Sequence, residues 1–446
     1  MDKRGIQMKK RNAFLRTSLP FLAVLIMLPL VFFGAEKTVA IKGGTVLTMA
    51  GKTIPNGIVL IKGEKIQAVG DDVRIPADAV VIDASGKYVM PGIIDAMTYY
   101  GVRPFDLNDP SNPVTPQNRI IQAYYPFGQF MRGKGGIEPD KEILSGGVTT
   151  VYIAPGDRQV IGGQGAVVKT CGPNFDRLIL REPAAIDMAI GDPPKAAFGE
   201  AQKSPVTRMS IAALIRKSLV DAQEYDRGQK AYDAKSEEEK KKSPRPPRDL
   251  GNEALAKLLN REIPARIESD LPDDLRTAIR IAEEFNFNLV IDSGLTAYLL
   301  KDELAQKKIP VVLGPTSHPF VSGGEVSSTP ELLRVMDERN AAYLAKAGVK
   351  IAIASFGFGF GGFGDAVQGK WLLLEAGLAT GFDLPDEEAL KAVTINPAQI
   401  LGVADRVGSL EPGKDADILI LDGYPLNVKT WVEKVFVNGE MVYLKK

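Results

Sequence analysis

The chain has 446 residues, too many for one ordinary domain, and its 45% hydrophobic and 25% charged residues exclude a disordered or fibrous protein. Its 55 basic and 55 acidic side chains cancel, which leaves no electrostatic case for nucleic acid as a partner. A single Cys excludes an internal disulfide, and a single His excludes a two-His or three-His zinc site built within one chain.

The N-terminus reads as an export element. Lys3, Arg4, Lys9, Lys10, Arg11 and Arg16 precede an uninterrupted apolar run, residues 19–35, that ends on Ala35. Basic segment, apolar run and small residue match a secretory signal. No Cys follows to carry a lipid. The run is at the short limit for a spanning helix. Residues 1–35 are therefore expected to be a signal peptide or an N-terminal membrane anchor, with the folded part exported to the periplasm or cell envelope.

From residue 39 to 83, β-branched runs are cut by glycine every few residues, as in a β meander. The pattern returns at 417–421 and at 435–442, the second a hairpin on Asn438-Gly439. Residues 36–88 and 405–446 are expected to form one small β-sandwich from both ends of the chain. Between them, residues 89–404 alternate strand and helix. Strands are predicted at 88–94, 149–153, 166–169, 178–180, 265–268, 289–291, 311–313 and 350–354, and helices include 273–285 and 330–347. Eight such units suit an α/β fold of the (β/α)8 TIM-barrel type. A doubly wound sheet is the alternative, but no Gly-rich phosphate fingerprint follows a first strand. Near 229–250 a charged insertion, Ser236 to Lys242 followed by Pro244-Arg245-Pro246-Pro247, reads as a solvated excursion or the tip of a helical hairpin.

Several segments resemble one family. Pro91-Gly92-Ile93-Ile94-Asp95 resembles the "P-G-x-I-D" that closes the first barrel strand of the amidohydrolase superfamily. Asn396-Pro397-Ala398 resembles the helix start after its eighth strand, with Asn396 as N-cap and Pro397 as the first helical residue. The turn from Gly408 to Asp417 resembles the family's re-entry into its β domain. With Gly146 to Thr150, these motifs span nearly the whole exported chain, and the imidazolonepropionase-like branch is the nearest in pattern. The Gly162-Gly163-Gln164-Gly165 loop and Thr207-Arg208-Met209 add weaker likeness.

The resemblance implies a hydrolase of non-peptide carbon–nitrogen bonds. It also implies zinc or a similar divalent ion, held by a His-x-His after strand one, a carboxylated Lys or a Glu near strand four, single His residues ending strands five and six, and an Asp ending strand eight. Such an ion lowers the pKa of a bound water so that it attacks the substrate. In this sequence the His-x-His positions hold Met97 and Tyr99, weak or poor ligands. Asp187 is the candidate for strand four, Glu268 and Asp292 end strands five and six, and Ser355 stands at the end of strand eight. The metal site therefore reads as lost, and no cofactor is expected.

Function on this fold sits at the C-terminal ends of the strands. There Glu268, Asp270, Asp273, Asp274 and Asp292 offer oxygen donors for a hard cation, a carboxylate pair for acid–base work, or simply exposed acids at a helix start. His318 follows strand seven. After strand eight Phe356, Phe358 and Phe360 alternate with glycine, and with Met97 and Tyr99 they would line an aromatic mouth for an apolar ligand, or plug the cavity. Cys171 reads as a buried, inert thiol. The sequence thus points to a non-catalytic binding or partner subunit, as a homo-oligomer or beside an active amidohydrolase relative. The alternatives are a hydrolase of cyclic amides using carboxylates, a hard cation or His318, and a purely structural envelope protein.

Overall fold

Short β-branched runs at both ends of the chain assemble into one sheet. The computed structural model describes residues 37–125, 140–314, 330–356 and 369–446. In the first sheet β1 (Thr38–Val46), β2 (Ile54–Lys62), β3 (Lys65–Gly70), β4 (Val80–Asp83) and β5 (Tyr88–Pro91) join the C-terminal β14 (Ile418–Leu421), β15 (Val432–Val437) and β16 (Glu440–Leu444). The order is β16-β15-β14-β5-β1-β2-β3, with β4 also on β1. Ile41, Val59, Ile61, Val89, Ile418 and Phe436 form one core on it, so both chain ends share a hydrophobic face. The eight strands of this sheet are linked in one hydrogen-bonded network, and β1 pairs with β2, with β4 through residues 39–42 and with β5 through residues 45–46.

The second sheet is a barrel of eight strands in sequence order: β6 (Ile93–Thr98), β7 (Val148–Ile153), β8 (Ile161–Lys169), β9 (Ile179–Ala189), β10 (Ala265–Ser269), β11 (Leu289–Ser293), β12 (Val311–Leu313) and β13 (Ile351–Ile353). Helices such as Pro272–Phe285 cover the outside. This is a (β/α)8-type barrel with a separate β-sheet domain. The barrel departs from the expected pattern at β8, which runs antiparallel to both β7 and β9. The connections on either side of it are too short for a helical crossover, which takes a dozen or more residues. β8 and β9 also extend well beyond the predicted 166–169 and 178–180; in β8 this is because glycines that read as a loop sit inside the strand.

The run predicted as one strand over 88–94 is two. β5 pairs with β1 and β14 in the first sheet, and β6 opens the barrel. Gly92 is the crossing point, where a Cβ would lie 2.1 Å from the Thr149 hydroxyl. No larger residue fits between the sheets, which gives the Pro91-Gly92 pair its physical reason. The segment 330–347 is likewise two helices, Pro330–Val335 and Asn340–Lys346. Asn396 is not an N-cap: it lies inside the helix Ile395–Ile400, whose N-cap is Thr394, and its amide donates to the Ile351 carbonyl of β13 at 2.9 Å. The charged insertion is the tip of a helical hairpin. The long helix Arg208–Asp233 and the short Glu237–Lys242 both start on capping boxes, Thr207 with Ser210 and Ser236 with Glu239, before the chain returns through Leu250–Leu259.

A buried charge cluster ties the barrel to the first sheet. The Lys169 ammonium, at the end of β8, donates to both Asp417 oxygens at 2.8 Å and to the Asn438 side-chain oxygen at 2.8 Å. It also pairs with Asp415 at 2.9 Å. Burial pushes the Asp415 carboxyl up, but Lys169, Lys65 and Arg406 outweigh burial and hold it below the ordinary range. Removing the lysine would leave Asp417 buried and uncompensated. Lys169→Ala is therefore expected to cost about 3–5 kcal/mol in urea unfolding. A loss below about 1 kcal/mol, the value of an exposed pair, would show that the cluster does not hold the two sheets together.

Candidate functional site

Alternation along β10 puts Arg266 and Glu268 on one face, into the barrel, and Ala265 and Ile267 on the other, against the outer core. Register places Asp187 of β9 beside Arg266, and Asp292 of β11 beside Glu268. Three sequence-predicted carboxylates, on the fourth, fifth and sixth barrel strands, therefore face the same interior. What the sequence reading missed is the cation among them. Arg266 donates to Asp292 through Nε at 2.8 Å and Nη2 at 2.7 Å, a two-point ion pair with side chains only 1% and 4% exposed. Its guanidinium carbon lies 3.9 Å from the centre of the Tyr152 ring. The Tyr152 hydroxyl in turn donates to the Asp187 carboxylate, at 2.8 and 2.9 Å from its two oxygens.

Glycine makes the space for this arrangement. A Cβ at Gly165 of β8 would lie 2.0 Å from the Tyr152 hydroxyl and 2.7 Å from an Asp187 oxygen. The stretch Gly162 to Gly165, which resembled a family loop, is the strand that lets a tyrosine fill the barrel interior.

Electrostatics follow from burial. Burial pushes the Asp187 carboxyl up to about 7, against the pull of Arg266, and neighbouring Asp292 adds to the rise. Burial also raises Asp292, with Arg266 opposing. Burial alone would lower Arg266, but Asp292 and Tyr152 outweigh it and keep the guanidinium charged. The Tyr152 hydroxyl is pushed well above its usual range by burial and by Asp187, so it stays a proton donor.

The remaining predicted residues divide between neighbouring places. Met97 and Tyr99 are buried with Phe356 in the apolar interior. Phe356 has a left-handed backbone, φ 50°, which an ordinary side chain adopts only at a cost in strain. Ser355 closes the barrel: its amide donates to Asp95 at 2.9 Å and its hydroxyl at 2.5 Å, joining the segment after β13 to β6. Burial lifts the Asp95 carboxyl to about 6, with the Ser355 bonds opposing. Asp270 is buried beyond the end of β10, where burial lifts it to about 6 and bonds from Ser293 and Leu295 oppose. It stands apart from the Arg266 group, held by the turn after β11. Of the two acids at the next helix start, Asp273 is exposed, and Asp274 pairs with Arg208 at 2.9 Å. Cys171 is buried, and burial pushes its thiol up to about 12. His318 and Phe358 lie outside the described residues.

These donors do not suit a catalytic zinc ion. Both oxygens of Asp292 already accept from a guanidinium, and the phenol on Asp187 is a donor and not a ligand. Among the described residues no group of three or more His, Cys, Asp or Glu side chains could hold a metal ion.

Comparison with known proteins agrees with the fold. The Amidohydrolase family profile matches residues 274–442. The chain is 26% identical over 390 residues to amidohydrolase tasK of Hapsidospora irregularis, a match that covers 82% of this chain but only 37% of that relative. A shorter stretch of 64 residues, 13% of this chain and 16% of the relative, is 47% identical to the imidazolonepropionase of Thermoplasma volcanium. The crystal structure of an amidohydrolase from Thermotoga maritima superposes with a TM-score of 0.80 at 33% identity, over 91% of this chain and all of that one. With the barrel, the crossing at Gly92 and full-length likeness to that enzyme's structure, the chain belongs to the amidohydrolase family.

Proposed function

We propose that this chain is an exported member of its family that serves as a binding or partner subunit and does not hydrolyse substrate through a metal-bound water. The family hydrolyses carbon–nitrogen bonds with the help of a divalent ion. The observation that carries the reading is the Arg266 guanidinium, paired at two points with Asp292 inside the barrel and stacked on Tyr152. A fixed positive charge beside the interior carboxylates repels a dication, and its two-point pair already occupies both oxygens of Asp292. One His in the whole sequence points the same way. The partner reading draws support from the Hapsidospora relative, in which the segment similar to this chain is part of a much longer one. The exported location rests on the basic and apolar N-terminal pattern alone.

The first test is elemental analysis of the mature protein, starting at Glu36, after expression in zinc- and manganese-supplemented medium and mild dialysis. Sub-stoichiometric metal is expected. Near-stoichiometric zinc or manganese, with hydrolysis of an amide, lactam or lactone that a chelator abolishes, would overturn the proposal. Recovery of the native protein as a lone homo-oligomer would overturn the version with an active relative as partner.

One observation favours a second reading, a metal-free hydrolase of cyclic amides. A carboxyl held near 7, as Asp187 is, has the value that general acid–base work needs at neutral pH. That reading predicts turnover of a lactam panel that is lost in Asp187→Asn and indifferent to chelators. No turnover by wild type sinks it.

The same shift has a consequence for stability. The folded pKa of Asp187 lies above the unfolded value, so the native state binds the extra proton. Its stabilising contribution is complete below about pH 4 and is lost as pH rises through about 7. Asp187→Asn, which cannot ionise, is expected to flatten the fall in melting temperature between about pH 4 and pH 7, the window set by the unfolded and folded values. An unchanged slope would mean that Asp187 titrates normally.

A further inference from the structure

We propose that Arg266 is the resident cation of this barrel: a side chain supplies, from within, the positive charge on which the packing of the interior acids depends. The inference rests on the reading above that no metal-bound water is used, and it goes further, because it makes the cation a requirement of the fold.

The geometry supports such a role. One guanidinium leaves the fifth barrel strand, takes both oxygens of Asp292 on the sixth, and lies over Tyr152 of the second. Tyr152 then holds Asp187 on the fourth. A single positive charge thus ties together four of the eight strands, a task that metal ions perform when their ligands come from several strands. Asp292 and Asp187 both act on the guanidinium, and Glu268 shares its face of β10. Without Arg266 the buried Asp292 carboxylate would lose the guanidinium that both its oxygens accept from, which is costly in a low-dielectric setting. The Arg266 Nη1 group has no hydrogen-bond partner among the described residues. The guanidinium is therefore held by its ion pair and by stacking, not by a saturated set of hydrogen bonds. A planar cation of the same shape, not covalently attached, would meet the same partners.

Chemical rescue tests this directly. Arg266→Ala should lower the melting temperature by several degrees, and low-millimolar methylguanidinium should restore most of the loss. Methylammonium and sodium chloride at equal ionic strength should not, because neither presents a planar fork. Wild type should gain nothing from methylguanidinium and lose nothing to a chelator. If Arg266→Ala does not fold, a second pair of variants decides. Arg266→Met alone should be strongly destabilised by the acid it leaves unpaired, whereas Arg266→Met with Asp292→Leu, which removes both charges, should recover most of the stability. A folded Arg266→Ala that methylguanidinium does not stabilise, or an Arg266→Met as stable as wild type, would overturn the inference. Stoichiometric metal in wild type would overturn the functional proposal instead, so the two failures are read from different samples.

Discussion

A charge buried in a barrel must meet its counter-charge inside the barrel. In this chain that constraint is met by the two-point pair between Arg266 and Asp292. The pair fixes the rest of the interior. The guanidinium needs a second flat surface, which Tyr152 supplies. The phenol needs an acceptor, which Asp187 supplies. The tyrosine needs room, which Gly165 supplies. Each requirement follows from the one before, so these residues act as a unit, and the effects of substituting them should not add.

The second buried cation, Lys169, obeys the same rule at the other end of β8. There the counter-charges come from the segment leading into the C-terminal strands, Asp415 and Asp417. One strand, β8, thus takes part in both clusters: its glycines admit Tyr152, and its terminal lysine holds the first sheet. Its antiparallel course suits this. A parallel strand in that place would need a crossover helix, and its C-terminal end would point to the mouth rather than to the sheet domain.

Much of the architecture was legible in the sequence, because it is encoded locally. The eight barrel strands were found, since buried strands are apolar runs of recognisable length. The pairing of both chain ends in one sheet was legible from their shared pattern of β-branched runs and turns. What misled was glycine. At Gly162 to Gly165 it marks side-chain clearance inside a strand and not a loop, and at Gly92 it marks a crossing between two sheets and not the middle of one strand. Of the candidate site, Asp187, Glu268 and Asp292 were identified through the resemblance, as the positions near strand four and at the ends of strands five and six. Their partners were not. Arg266 stood two residues before Glu268, on the same face by strand alternation, and that period-two spacing was the signal that could have found it. Tyr152 carried no such signal, since a tyrosine in a buried strand is ordinary and its contacts depend on a distant glycine.

The choice of cation decides what the barrel can do. A divalent ion polarises a bound water and lowers its pKa, whereas a guanidinium, charged at every physiological pH, offers only hydrogen bonds and a fixed charge. Under the proposed function, this chain keeps the scaffold and its motifs without an activated water. On that reading the family motifs persist in this chain because they belong to the fold: Gly92 separates two sheets, Asp95 joins the ends of the barrel, and Asn396 holds the last strand. Each of the three has a packing or hydrogen-bonding role within the fold, and the residues on which the proposed function turns are those around Arg266.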